Sequence, residues 1–139
     1  MPRFPAFLLA LLAATTVAAG APAVKVLEHG GKWESGYGAK FYNVVGTLEN
    51  DGSAAVRWVK LRIDALDDHG KVVASTDAYN ETAEILSVPE VKPEDAAKTG
   101  KLKPFAPGTT QRFRGSFLAE ETPPFATYRV AVVDAPPEP

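Results

Sequence analysis

The sequence predicts an all-β fold, an antiparallel β-sandwich of about seven strands, from three observations. From Val59 to Ala65 the chain is apolar at odd positions and charged at even ones: Val59, Lys60, Leu61, Arg62, Ile63, Asp64, Ala65. Two turn sequences bracket that run, Asn50-Asp51-Gly52-Ser53 before it and Asp67-Asp68-His69-Gly70 after it. Similar alternation returns at Thr110 to Leu118 and Thr127 to Val133.

Successive strand side chains point to opposite faces, so the odd positions from Val59 to Ala65 form a dry face and the even ones a wet face. A helix needs apolar residues three and four apart, and that spacing would bury Lys60 and Asp64. Asn-Asp-Gly and Asp-His-Gly supply the residues that tolerate positive φ in tight hairpins. Three consecutive antiparallel strands follow, spanning roughly Gly46 to Thr76.

At 139 residues the chain holds one domain. Residues 1–23 read as a secretory signal peptide outside that domain. Arg3 supplies the positive start, Ala6 to Ala14 the apolar run, and the small residues around Ala19, Gly20 and Ala23 the cleavage region. The apolar run, about nine residues, is short for a bilayer span; an uncleaved anchor is the competing reading. An exported, periplasmic or extracellular protein is expected, with no stable membrane span after cleavage. Residues 24–134 form the expected sandwich, and the Pro-rich 135–139 a solvated, disordered tail.

The chain has no cysteine, so an exported domain of this size must hold together by packing rather than by disulfides. About 116 residues suffice for a two-sheet core. The formal charge of −2 gives no global attraction to nucleic acid or an anionic membrane.

Taken in order, Val24 to His29 suits a short first strand, broken at Gly30-Gly31. Lys32 to Lys40 reads as a Gly-rich connection, and Phe41 to Glu49 as the second strand with Tyr42, Val44, Gly46 and Leu48 in phase. Val56 and Trp58 are out of phase with Val59, which calls for a bulge or an outward Trp58. Residues 77–106 form an unusually long connection. Within it Glu81 to Val88 reads as a strand or a helical turn. Lys92 to Gly100 reads as a short helix with Pro at its start and Gly past its end. Phe113, Gly115 and Phe117, then Tyr128, Val130 and Val132, face inward on the last two strands.

The segments Gly46-Thr47-Leu48-Glu49-Asn50, Val59 to Ile63, Asp67-Asp68-His69-Gly70-Lys71-Val72-Val73, and Pro107-Gly108 followed by Phe113 resemble the FxLYD-type domain. Ile63-Asp64-Ala65-Leu66-Asp67 stands in the place of the naming motif. Asp67 matches it, while Ala65 and Leu66 replace the expected Leu and Tyr. The resemblance implies a small immunoglobulin-like β-sandwich of exported bacterial proteins. Its matching residues are core and turn positions, so it carries a fold rather than a chemistry.

No nucleophile elbow, phosphate loop or cysteine nucleophile is present, and His29 and His69 stand alone rather than at metal-ligand spacing. Asp67-Asp68 beside Gly70 lacks the calcium-loop pattern. Asn80-Glu81-Thr82 is a glycosylation triplet of a kind common by chance. The expectation is a non-catalytic binding or structural module with no metal and no cofactor. A small enzyme with its site in the 77–106 connection is the alternative from another class.

Two surfaces are candidates for binding. If Val56 to Asp67, Thr110 to Leu118 and Thr127 to Val133 are the third, sixth and seventh strands, they share a sheet in an immunoglobulin-like sandwich. Lys60, Arg62, Arg112, Arg114 and Arg129 would then stand on one face with Trp58 at its margin, fitting an acidic protein segment or an anionic envelope glycan. Interleaved acids such as Asp64 are the opposing reading. The second candidate is Trp33, Tyr37 and Tyr42 around the Gly-rich connection, where exposed aromatics stack on sugars or partner proteins. The plainer alternative is that Trp33 closes the end of the sandwich.

Overall fold

The computed structural model describes residues 24–139; the expected signal peptide and its cleavage positions lie outside the described residues. The chain forms strands β1 (Val24–Gly36), β2 (Ala39–Asn50), β3 (Lys60–Leu66), β4 (Val72–Tyr79), β5 (Thr110–Leu118) and β6 (Thr127–Asp134). They make two three-stranded antiparallel sheets, ordered β1-β2-β5 and β4-β3-β6. Helix α1 (Pro93–Lys98) and 3-10 helices over Glu81–Ser87 and Ala119–Glu121 complete the elements. Among the described residues no helix is long and apolar enough to cross a membrane.

Strand β3 has the predicted alternation. Val59, Leu61, Ile63 and Ala65 are fully buried while Arg62 is exposed. Each large apolar side chain sealed in this way stabilises the fold by about 1.5–3 kcal/mol. β3 is the central strand of its sheet, paired with β4 on one side and β6 on the other. Asp64 is the exception among the even positions, because it is buried on the outer face. There the Ser75 hydroxyl donates to Asp64 Oδ1 at 2.6 Å and Arg129 Nε donates to Oδ2 at 3.0 Å. One carboxylate thus ties all three strands of the sheet together.

The sheets approach closely where one side omits a side chain. Ile63 Cδ1 would lie 2.5 Å from a Cβ placed on Gly115, so the isoleucine fills the notch that this glycine leaves in β5. Within one sheet, the Phe113 ring of β5 lies over its register partner Gly46 of β2, where a Cβ would come within 2.6 Å of it. Val44, Leu48, Phe117 and Phe105 fill the rest of the main core.

Several boundaries differ from expectation. Six strands, not about seven, are present among the described residues, because Glu81–Ser87 is a 3-10 helix, the helical-turn alternative for that segment. β1 runs through Gly30-Gly31 without a break, and its turn is Tyr37-Gly38. Gly31 is small because the Tyr42 ring covers it; a Cβ at this position would come within 2.5 Å of the tyrosine hydroxyl. β3 starts at Lys60, and Val56 instead makes isolated bridges to Phe105 and Pro137 while fully buried. The expected solvated tail is pinned along the segment before β3. Arg57 donates its N–H to the Pro136 carbonyl at 2.8 Å and Glu138 donates to Ala55 at 2.9 Å.

The long 77–106 connection folds as a second small core. Ala83, Ala96 and Leu102 are buried there, with Trp58, Tyr79 and Ile85 packed against them. α1 has Pro93 at its start and ends before Gly100, whose φ of +76° suits glycine.

Two buried asparagines join the segments. Asn50 donates to the carbonyls of Ala54 and Phe105, each at 3.0 Å, and accepts from Gly52. Asn80 accepts the Val59 N–H at 2.8 Å and donates to Gln111 Oε1 at 2.8 Å. With its side chain buried and bonded at both ends, Asn80 is closed to glycosylation. Asn80→Ala should lower the unfolding free energy by about 1–3 kcal/mol, since it orphans the buried Val59 N–H, while Gln111 Oε1 keeps the Thr82 donors. Urea denaturation checks this against Ser87→Ala, an exposed site where the change should stay within about 0.5 kcal/mol.

Candidate functional site

The five cations expected on one face divide between the two sheets. Lys60, Arg62 and Arg129 lie on β3 and β6, whereas Arg112 and Arg114 lie on β5 in the other sheet. The physical reason is the strand count. With Glu81–Ser87 helical, Thr110–Leu118 is the fifth strand and pairs with β2 rather than with β3. Most of these cations also face an acid. Lys60 Nζ is 3.7 Å from Asp77, Arg129 Nε is 3.0 Å from Asp64, and Arg114 Nη2 is 3.9 Å from Glu34. Arg62 stands opposite Asp77 in the register, and the backbone N–H of Arg112 donates to Glu81 at 2.7 Å. Trp58 is half-buried, donates its indole N–H to Asp134 at 3.2 Å, and carries the Arg57 guanidinium 4.9 Å above its ring.

Of the aromatic group, Trp33 and Tyr42 come together on the β1–β2 hairpin, while Tyr37 stands apart at its tip. Trp33 is paired with Tyr42 across the hairpin, with ring centroids 5.2 Å apart. Phe125, just ahead of β6, lies 5.8 Å from Trp33 and 5.0 Å from Tyr42, both edge-on or tilted. Such pairs add about 0.5–1.5 kcal/mol beyond burial. Trp33 thus packs on Tyr42 and Phe125, which themselves border the main core, and keeps 45% of its surface open. Lys40 Nζ sits 5.3 Å above its ring. Further along, His29 Nδ1 lies 2.7 Å from the Tyr128 hydroxyl, which joins β1 to β6 between the sheets.

Tyr37 is at the tip of this hairpin and is fully exposed. The two-residue loop Tyr37-Gly38 has φ of +50° and +76°, the mirror-image turn whose twist matches the flanking strands. That turn prefers asparagine at the first position, and a bulky residue there is a conformational outlier. Beside the tip, β1 forms the end of its sheet and, among the described residues, is paired only with β2.

The outer face of the same hairpin carries a polar relay. The Asn43 amide donates to Glu34 Oε1, and the Ser116 hydroxyl donates to Asn43 Oδ1 at 2.5 Å. Lys32 Nζ is 3.7 Å from the other Glu34 oxygen. These groups and Gly30 border a shallow depression of about 250 Å³. Another depression, in the 77–106 connection, is lined by Glu90 and Asp95 together with Lys92 and Lys101.

The Asp67-Asp68-His69 turn brings its three polar groups within 4.8 Å of one another. Asp67 is occupied by the turn itself. Its Oδ1 accepts the N–H groups of Lys71 and His69, each at 2.9 Å, and the two bonds hold its carboxyl below the ordinary 3.8. His69 Nδ1 lies 3.1 Å from Asp68 on the exposed rim.

Three titrating groups act in one direction. The Asn43 amide, then Lys32 and Arg114, hold Glu34 below 4.5; Lys71 and His69 hold Asp67 below 3.8; burial holds His29 below 6.5. In each case the unfolded chain binds the proton more tightly, so stability is present above the unfolded value and is lost as pH falls toward the folded one. The urea midpoint should therefore fall in two stages on acidification, the first beginning near 6.5 with His29 and the second below 4.5 with the carboxylates. Asp67→Asn keeps both acceptor roles through its amide oxygen. It should flatten the lower stage and leave the upper one unchanged.

Comparison with family models, with curated proteins and with solved structures yields no match to this chain.

Proposed function

We propose that this protein is an exported, non-catalytic binding or structural module of the periplasm or cell surface, and that it works by protein contact through the β1–β2 hairpin. The export reading rests on residues 1–23 as a signal peptide. The fold reading is an immunoglobulin-like sandwich of the FxLYD type. Its support is the strand order, with the first, second and fifth strands together and the third beside the sixth, as A, B, E and C, F lie in that class. The fourth strand lies on the C, F side, and residues 135–139 run back along 55–57 where a seventh strand would follow.

The observation that carries the contact reading is Tyr37. A bulky aromatic side chain sits fully exposed in a positive-φ position that folding alone would fill with asparagine. Departures from local preference without a packing gain mark functional positions. The half-open Trp33 and the outer edge of β1 extend the same surface. Tyrosine and tryptophan are the residues most often found anchoring protein contacts.

A photo-reactive residue in place of Tyr37 should form adducts with another protein chain in the native envelope, whereas one in place of Asp68, on the β3–β4 turn, should not. Equal labelling from both positions, or none from Tyr37, would contradict the reading. Tyr37→Asn should raise the unfolding free energy by up to about 1 kcal/mol through relief of the left-handed strain. The gain in stability should accompany loss of the contact.

A further inference from the structure

Resting on the proposal that the β1–β2 hairpin is a contact surface, we infer that its partner is a second copy of this chain, joined edge to edge along β1 about a two-fold axis through Trp33. A symmetric pair of edge strands is antiparallel, and each contact occurs twice. The unbulged part of β1 runs from Glu28 to Gly36, because the register shifts between Val26 and Glu28. Within that segment five registers, with axes from Gly30 to Glu34, pair at least five residues of each copy, and charge or the bulge separates them.

An axis at Gly31 opposes Glu28 to the second copy's Glu34, an axis at Lys32 opposes the two lysines, and an axis at Glu34 opposes the two glutamates. Like charges directly across a strand pair are destabilising. An axis at Gly30 does pair Glu28 with Lys32, but it draws the bulge at Leu27 into the ladder. The axis at Trp33 avoids both faults. It sets Lys32 opposite the second copy's Glu34, and Glu34 opposite its Lys32, on the outer face. It also opposes Gly31 to Ser35 and Gly30 to Gly36, which present no bulk.

On the inner face the same register sets Trp33 against the second copy's Trp33. The 45% of this side chain that the single chain leaves open is then covered. Glu34 is already set for the pairing: Asn43 and Arg114 hold Oε1, while Oε2 faces Lys32. The result is one continuous sheet, β5-β2-β1 running into the second copy's β1-β2-β5.

The chain has no native cysteine, so a single introduced one reports the register directly. Sedimentation equilibrium of the purified protein should show a reversible dimer at concentrations on the order of 1 mM, where even a millimolar interface is substantially populated. Trp33→Cys should form a disulfide-linked dimer under oxidising exchange, since Cα atoms paired across an antiparallel axis lie about 4.5–5.5 Å apart. Ser35→Cys, displaced from its own copy along the strand, should not.

Lys32→Glu and Glu34→Lys should each weaken association by about tenfold, and the double exchange should restore it. Far-UV circular dichroism separates loss of association from loss of fold. A monomer at the highest concentration, equal cross-linking from Ser35→Cys, or no rescue by the double exchange would overturn the inference. Adducts from position 37 to a different protein, with the purified chain monomeric, would remove self-pairing and leave the protein-contact reading standing. Silence in both experiments would remove both.

Discussion

The interlock of Ile63 with Gly115 sets the distance between the two sheets, and the rest of the fold is arranged around it. Ile63 fills a notch that exists only because β5 has no side chain there, while within the β1-β2-β5 sheet the Phe113 ring lies over its register partner Gly46. Interiors are close-packed, so neither glycine has room for a methyl group without a shift of backbone or side chain. β3 is held in place by hydrogen bonds on both edges and by the Asp64 carboxylate beneath it, shared between Ser75 and Arg129.

Where a short-range pattern had a unique cause, it was legible in the sequence. The alternation from Val59 to Ala65, the turn at Asp67 to Gly70, the Pro93-to-Gly100 helix and the inward phases of β2 and β5 all depend on neighbours a few residues away. What escaped depends on residues far apart. Gly30-Gly31 looks like a break until the Tyr42 ring is seen lying across it. Residues 81–87 read equally as a strand or a helical turn, and the packing of Ala83 and Ile85 with Ala96 and Leu102 is what favours the 3-10 helix. That one assignment moved Thr110–Leu118 from one sheet to the other, and with it Arg112 and Arg114.

The buried asparagines were missed for a related reason. Asn50 and Asn80 resemble ordinary turn residues in sequence, and only the fold reveals that each satisfies backbone groups from distant segments. Their burial is tolerated because nearly every polar atom has a partner. The aromatic grouping of Trp33 and Tyr42 was visible as a composition bias, but its setting on a regular hairpin was not. The informative feature there is a conflict between levels. Tyr37 sits where turn chemistry asks for asparagine, and its full exposure leaves no packing among the described residues to repay the strain.

A division of labour follows from these contacts. The β4-β3-β6 sheet and the Asn80 junction serve cohesion, with their charges matched locally. The β1–β2 hairpin carries the exposed aromatics and the outer sheet edge. Residue-resolved amide hydrogen exchange tests this most directly, because it reads the sealing of β3 without altering a side chain. The Leu61, Ile63 and Ala65 amides should exchange only through global unfolding, at the slowest rates in the molecule, while the outward amides of β1 exchange by local opening. Exchange of those three amides as fast as that of the β1 edge would contradict the claim that β3 is locked between the layers.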